Sequence, residues 1–296
     1  MRRYSAVLLL FTSVLLTGIA GCSRKADEAV PVATPAVTLS HSTAAVGAPI
    51  DVTYRFAVAK DAPAFAEKYV VFVHFVDADG ELMWVDDHEP ATPTTDWKPG
   101  ATIEYTRTMF VPKVPYEGAV NVILGLYSLS SKERVPMAGT TEGMRAYRVA
   151  QFTMGLPSDN TFVMFRDGWH DAETATDDAG TEWQWSKKDA TLVFRNPKRD
   201  VVLYLQLDQP ATALPGPQHV DVRIAGQAVD SFTLPTGQRE LRKVRVSAAQ
   251  LGTGDTVEMN LSVDQTFVPA SVPQMRSSDH RELGVRVFRA YVEPQS

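Results

Sequence analysis

The sequence predicts an all-β protein: two β-sandwich domains, an immunoglobulin-like sandwich followed by a jelly roll, carried behind a signal peptide and a flexible tether. Two observations carry that prediction. After Pro35 no stretch holds a 3.6-residue apolar period through a normal helix length, whereas short runs of alternating apolar and polar residues recur with turn residues between them. The chain is also long for one core, since 296 residues suit two domains of roughly 100 to 150 residues each.

The N-terminus comes first. Met1-Arg2-Arg3 is a short positive segment, and residues 4–19 form an uncharged, mostly apolar run ending in small residues, the pattern of a secretory signal over residues 1–21. A membrane-spanning helix needs about 17 to 25 apolar residues, and this run sits at the short edge. It closes on Ile19-Ala20-Gly21-Cys22, an ending that resembles the lipobox of bacterial lipoproteins. An ordinary signal peptide with a chance cysteine is the alternative. The resemblance implies that diacylglycerol is attached to the Cys22 thiol, that cleavage precedes Cys22, and that its new amine is acylated, for example with palmitate. Several acyl chains anchor stably where one would be marginal. Ser23 follows, not the Asp that holds many lipoproteins in the inner membrane. The expectation is a cell-envelope protein anchored to the outer membrane through Cys22 and facing the periplasm.

Residues 22–35 are polar, small and Pro-containing, and read as a tether able to extend about 45 Å. A first set of strands is expected over 37–39, 50–58, 69–76, 82–85, 103–110, 119–129 and 147–152, within a domain of residues 36–154. Asp77-Ala-Asp-Gly80 reads as a hairpin turn, with Gly80 supplying a positive φ. The turn-rich stretch 155–160 is the best internal boundary. A second set follows over 162–165, 183–185, 190–194, 201–207, 220–224, 229–234, 241–246, 256–263 and 283–292, within a domain of residues 160–294. Cys22 is the single cysteine, so both domains must hold by packing without an internal disulfide.

The first domain carries Val73-His-Phe-Val-Asp-Ala-Asp-Gly80, Asp87-His-Glu-Pro90, Trp97-Lys-Pro-Gly100, Pro112, Tyr116-Glu-Gly118 and Gly125-Leu-Tyr-Ser128. This order resembles the extracytoplasmic β-sandwich appended to some bacterial membrane glycosyltransferases of the dolichyl-phosphate-mannose type. The second carries Gly168-Trp169, Trp183-Gln-Trp185, Ala190-Thr-Leu192, Phe267-Val-Pro269 and Asp279-His-Arg-Glu-Leu-Gly-Val285. It is similar to jelly-roll modules beside glycosyltransferases of envelope polysaccharide synthesis. The catalytic membrane part of those enzymes is missing, so the resemblance implies an accessory or binding role, with an envelope polysaccharide or a glycosyltransferase complex as partner.

The ligand-binding candidates are Trp169, Trp183, Trp185, Arg195, Asp279 and Arg281. Aromatic faces stack on sugar rings, and planar Arg and Asp groups bind hydroxyls in pairs. A plainer reading places Trp183 and Trp185 in the core, two residues apart on one strand face, with Asp279 pairing Arg281. Trp169, beside Gly168 and outside any alternating run, is expected on an exposed loop. His74, Asp87 and His88 are the weak metal candidates in the densest His/Asp group, with Asp77, Asp79 and Asp86. That group lacks the ligand spacing of a known metal motif, and turn and strand roles account for it. No metal or cofactor is expected.

There is no Gly-x-Ser-x-Gly elbow, and no catalytic residue is nominated. The chain has 29 basic and 35 acidic residues, net -6; residues 1–21 hold Arg2, Arg3 and no acid, leaving 27 against 35, net -8. An acidic surface repels phosphate backbones, which excludes nucleic acid as an expected partner. The leading expectation is a non-catalytic envelope module that binds a glycan or docks onto a polysaccharide-assembly complex. The alternatives are a lipid-anchored glycan hydrolase and a structural spacer.

Overall fold

The computed structural model describes residues 29–156, 162–176 and 180–295. Cys22, the expected signal peptide and most of the expected boundary at 155–160 lie outside the described residues. The first unit contains β1 (Ala33–Leu39), β2 (Thr43–Ala45), β3 (Pro49–Val58), β4 (Tyr69–Val76), β5 (Leu82–Val85), β6 (Thr102–Phe110), β7 (Gly118–Ser128), β8 (Thr141–Gly143) and β9 (Ala146–Gly155). One sheet has the order β1-β3-β6 and the other β2-β9-β7-β4-β5, with β8 pairing β9. All pairs are antiparallel except β2 with β9. The two sheets have an immunoglobulin-like arrangement. Period-2 alternation selects their inner faces: Ile50, Val52, Tyr54 and Phe56 from β3 meet Val71, Val73 and Phe75 from β4. Phe56 packs on Trp97 with ring centres 5.0 Å apart, so aromatic packing fills the space between sheets that no disulfide crosses.

The expected tether runs too far in sequence. Val32 and Ala33 are buried, the Val32 N–H donates to Pro136 O at 2.9 Å, and Ala33 to Pro35 pair with β3. Their polar, Pro-containing composition hid this, because pairing with β3 is a long-range contact. The 77–80 turn forms as expected: Gly80 has φ +86°, and Asp77 Oδ1 accepts the N–H groups of Asp79 and Glu81 at 2.9 Å each.

The second unit contains β10 (Val163–Phe165), β11 (Glu173–Thr174), β12 (Glu182–Trp185), β13 (Asp189–Arg195), β14 (Val201–Asp208), β15 (Gln218–Ile224), β16 (Gln227–Leu234), β17 (Glu240–Val246), α1 (Ala248–Leu251), β18 (Thr256–Val263) and β19 (Arg286–Pro294). Its sheets run β10-β13-β18-β15-β16 and β11-β12-β19-β14-β17. The chain crosses between sheets at almost every connection from β12 to β19, which makes the eight-strand jelly roll, with β10 and β11 added at one edge of each sheet. Val257, Met259, Leu261 and Val263 all point into its core. The last strand begins later than expected, because Leu283 leaves the sheet to exchange two backbone hydrogen bonds with Phe267, at 2.8 and 2.9 Å. Contacts between the two sandwiches include Asp51–Lys243 at 2.7 Å, Lys113–Glu182 at 3.0 Å and the rings of Phe110 and Tyr204.

Candidate functional site

Antiparallel partners share a sheet face, so register decides where the tryptophans point. Gln184 lies opposite Val287, which belongs to the core, and Trp185 lies opposite Arg286. Trp183 and Trp185 therefore stand on the outer face of the β11-β12-β19-β14-β17 sheet, away from the sandwich interior. Trp185 is nonetheless buried, because Phe267, Leu283 and Ala213 cover it from outside. Trp183 is only half-buried.

Arg286 organises this face. Its guanidinium carbon lies 5.4 Å from the ring centres of Trp183, Trp185 and Phe288 alike, and its planar fork grips the buried Asp208 through Nε and Nη2 at 2.7 and 2.8 Å. Arg239 lies over one of the same rings, 3.5 Å from the Phe288 ring centre. Between these groups and β11 is a chamber of about 560 Å³, with Trp183 and Phe288 as apolar surface and Glu173, Thr174, Arg239 and Arg286 as polar lining. Glu173 is held by Arg281 at 2.7 Å, and Arg281 is itself held by a bidentate contact with Asp279. The Arg281 hydrogen bonds hold the Asp279 carboxyl below its usual range. Among the described residues, Trp183 Nε1 and the neighbouring Gln184 Oε1 are buried without a hydrogen-bond partner, which leaves a desolvation cost uncompensated.

A second chamber, of about 570 Å³, shares Trp183 and Phe288 with the first and extends to the first sandwich, where Val46 and Val111 form its wall. The first of the two is the open groove on the outer face of this sheet.

No family model matches the chain, and no characterised protein sequence matches it. Solved structures do. An alkylpurine DNA glycosylase of Pseudomonas fluorescens is 14% identical over 42% of this chain and 30% of its own length, with TM-score 0.27. The CBM36-1 domain of a multidomain xylanase from the hindgut metagenome of Trinervitermes trinervoides is 8% identical over 46% of this chain and 98% of its own, with TM-score 0.28. The CBM22-1 xylan-binding domain from Paenibacillus barcinonensis is 9% identical over 45% and 85%, also with TM-score 0.28. The chain thus spans under a third of the glycosylase's length. Likenesses at these scores say nothing of what this chain binds, which is a matter for the groove's own chemistry.

Of the six nominated residues, the groove takes Trp183 directly, Trp185 through Arg286, and Arg281 with Asp279 through Glu173. Two stand elsewhere. Arg195 is exposed at the end of β13, in the opposite sheet. Trp169 is not on an exposed loop: it packs at the edge of the jelly-roll core, meets Phe165 edge-on at 4.8 Å, and donates from Nε1 to Thr191 O at 2.9 Å. Its lack of alternating neighbours concealed a single bridge to Ser186. Sequence reading missed Glu173, Arg239, Arg286 and Phe288. The alternation Val285-Arg-Val-Phe288, with valines inward, is the signal that marks Arg286 and Phe288 as outward-facing.

The metal candidates do not converge. Among the described residues no three His, Asp or Glu side chains are placed to hold an ion. Asp87 Oδ1 accepts the Val73 N–H at 3.0 Å, and the ring of His74 packs beside Phe72. His88 is buried between Asp86 O, 2.7 Å from Nδ1, and the Tyr105 hydroxyl, 2.8 Å from Nε2. Asp86 also receives Tyr54 Oη at 3.2 Å and Arg107 at 2.8 Å.

This network predicts how stability varies with pH. Burial lowers the His88 pKa below its ordinary 6.5, so the unfolded chain binds a proton that the folded one refuses, and stability falls as pH drops below 6.5. Burial raises the pKa values of Tyr54 and Tyr105 above 10, so the folded chain keeps protons the unfolded one releases, and stability falls as pH rises past 10. Urea midpoints across this range should be flat near neutrality and decline on both sides. A His88→Gln variant should lose part of the acid-side decline, and an acid limb identical to wild type would contradict the assignment.

Proposed function

We propose that this chain is a non-catalytic, lipid-anchored protein of the cell envelope that binds a glycan in the polar chamber on the outer jelly-roll sheet. The observation that carries it is the cluster in which Arg286, fixed by Asp208, sits among Trp183, Trp185 and Phe288. The half-buried ring of Trp183 suits the apolar face of a sugar, while Arg239 and Glu173 lie in the same lining for hydroxyls. Among the described residues, Glu173 in the first chamber and Glu182 in the second are each ion-paired, to Arg281 and Lys113.

Trp183→Ala should lower retention on immobilised envelope polysaccharide by about ten-fold or more, the scale of an aromatic anchor. Glu258→Ala, on the opposite sheet, should retain wild-type binding. Wild-type protein that binds nothing on a broad glycan array would remove this reading.

Anchoring is tested separately. Cys22→Ser should leave the protein unlipidated and move it out of the detergent-extracted membrane fraction. A variant that still carries labelled acyl chain would show that Cys22 is not the attachment point.

A further inference from the structure

We propose that the end of the first sandwich bearing the β8–β9 turn and the 129–134 loop rests in the lipid interface of the bilayer and holds the jelly roll away from it. This rests on the anchoring reading through Cys22 and says how the anchored protein sits. Strand β1 enters the fold at this end: the Val32 N–H donates to Pro136 O and the Ala138 N–H to Ala33 O, each at 2.9 Å. Ten residues lead from Cys22 to Val32, a reach of at most about 35 Å. A lipid on Cys22 therefore keeps this end, and no other part of the first sandwich, close to the membrane surface.

The tips found there expose apolar side chains. Val30 is 66%, Leu129 51% and Met144 80% exposed. Met144 and Arg145 form the two-residue turn between Gly143 of β8 and Ala146 of β9, and both are left-handed, with φ +49° and +54°. Such turns favour Asn-Gly, and a methionine gains nothing from the left-handed backbone itself. Arg134, from the neighbouring loop, braces the turn by donating to Met144 O at 2.9 Å while its guanidinium lies 4.2 Å from the Phe72 ring centre. A fixed and unfavourable backbone thus presents an apolar side chain outward, at the same end as Leu129, which directly follows β7. Lys132 and Glu133 on the 129–134 loop are exposed as well, and their opposite charges suit zwitterionic headgroups, while the apolar tips reach the acyl boundary below.

The far end is committed to the second sandwich. Register places the start of β3, the end of β6 and the end of β9 there, and Asp51, Phe110 and Lys113 make the contacts with Lys243, Tyr204 and Glu182. The eight residues of β4 alone separate the two ends by about 26 Å. Bilayer and jelly roll would then lie at opposite ends of the first sandwich, which acts as the spacer between them.

The experiment uses the full lipidated chain in phosphatidylcholine vesicles. Cys22 is the single cysteine and its thiol carries the lipid, so Met144→Cys supplies one reactive thiol for an environment-sensitive NBD label. At 80% exposure the substitution empties no core. Emission from the label should shift to the blue on reconstitution and be quenched by phosphatidylcholine bearing a nitroxide on its tail, and a labelled Leu129→Cys protein should behave alike. A labelled Asp79→Cys protein, with the label on the exposed 77–80 turn at the far end, should show neither change. No quenching at position 144 while wild type floats with the vesicles would overturn the proposal and leave the anchor standing. Equal quenching at 144 and 79 would overturn it too, as would a blue shift at 144 without quenching, the sign of a protein partner on the tip. Wild type that fails to float would remove the anchor and this proposal together.

Discussion

Asp208→Ala is expected to destabilise the jelly roll by about 3–5 kcal/mol, the cost of removing one partner from a buried ion pair. Asp208 has 9% and Arg286 25% of its side chain exposed, and the carboxylate takes both guanidinium hydrogen bonds. Once it is gone, a cation is left against three aromatic rings with no counter-charge. The rings offer some compensation, but cation–π attraction of about 2 kcal/mol for a desolvated contact does not replace the pair. The double variant Asp208→Ala/Arg286→Met should recover much of the loss, since replacing a whole buried pair by apolar groups is often neutral. Urea unfolding of the three chains measures both effects. A loss below about 1 kcal/mol for Asp208→Ala, the range of an exposed pair, would mean that solvent compensates Arg286 as well as Asp208 does and that the groove is not organised around the pair.

The sequence was most informative where side chains alternate over a whole strand. The 256–263 run matches β18 from end to end, and 69–76 and 82–85 match β4 and β5. It was silent on β2, β8 and β11, which have three, three and two residues and are too short to show a period. Trp183 and Trp185 were legible as residues sharing a face. Which face was not, because that depends on β12 pairing with β19, about a hundred positions downstream. The groove's arginines lie further from view still: Arg239 precedes β17 and Arg286 opens β19, and they are brought to one phenylalanine only by the jelly-roll crossings. Asp279 and Arg281, two apart in sequence, were readable as a pair, but the Glu173 they position was not.

Gly168→Ala is expected to cost about 3–5 kcal/mol, combining backbone strain with overpacking. Gly168 has φ +79°, and a Cβ there would lie 2.0 Å from Asp189 O and 2.7 Å from Ala190 Cα, both backbone atoms of β13 that cannot rotate away. The segment is held on either side of the clash. Lys187 N–H donates to Gly168 O at 2.7 Å, Thr191 N–H to Asp167 O at 2.8 Å, and Arg166 N–H to Thr191 O at 3.0 Å. Relief would therefore mean lifting residues 166–169 from β13 and withdrawing Trp169 from the core edge, where its Nε1 donates to Thr191 O. Gly226 provides the control, because it has the same φ of +79° and a methyl group added there would meet nothing within 4 Å. Gly226→Ala should lose only about 1 kcal/mol, from the left-handed backbone alone. Urea midpoints for the two variants separate the contact with β13 from the conformational preference. Equal losses would show that β13 yields to the methyl group, and that Trp169 is held less firmly than its hydrogen bond and ring contact indicate.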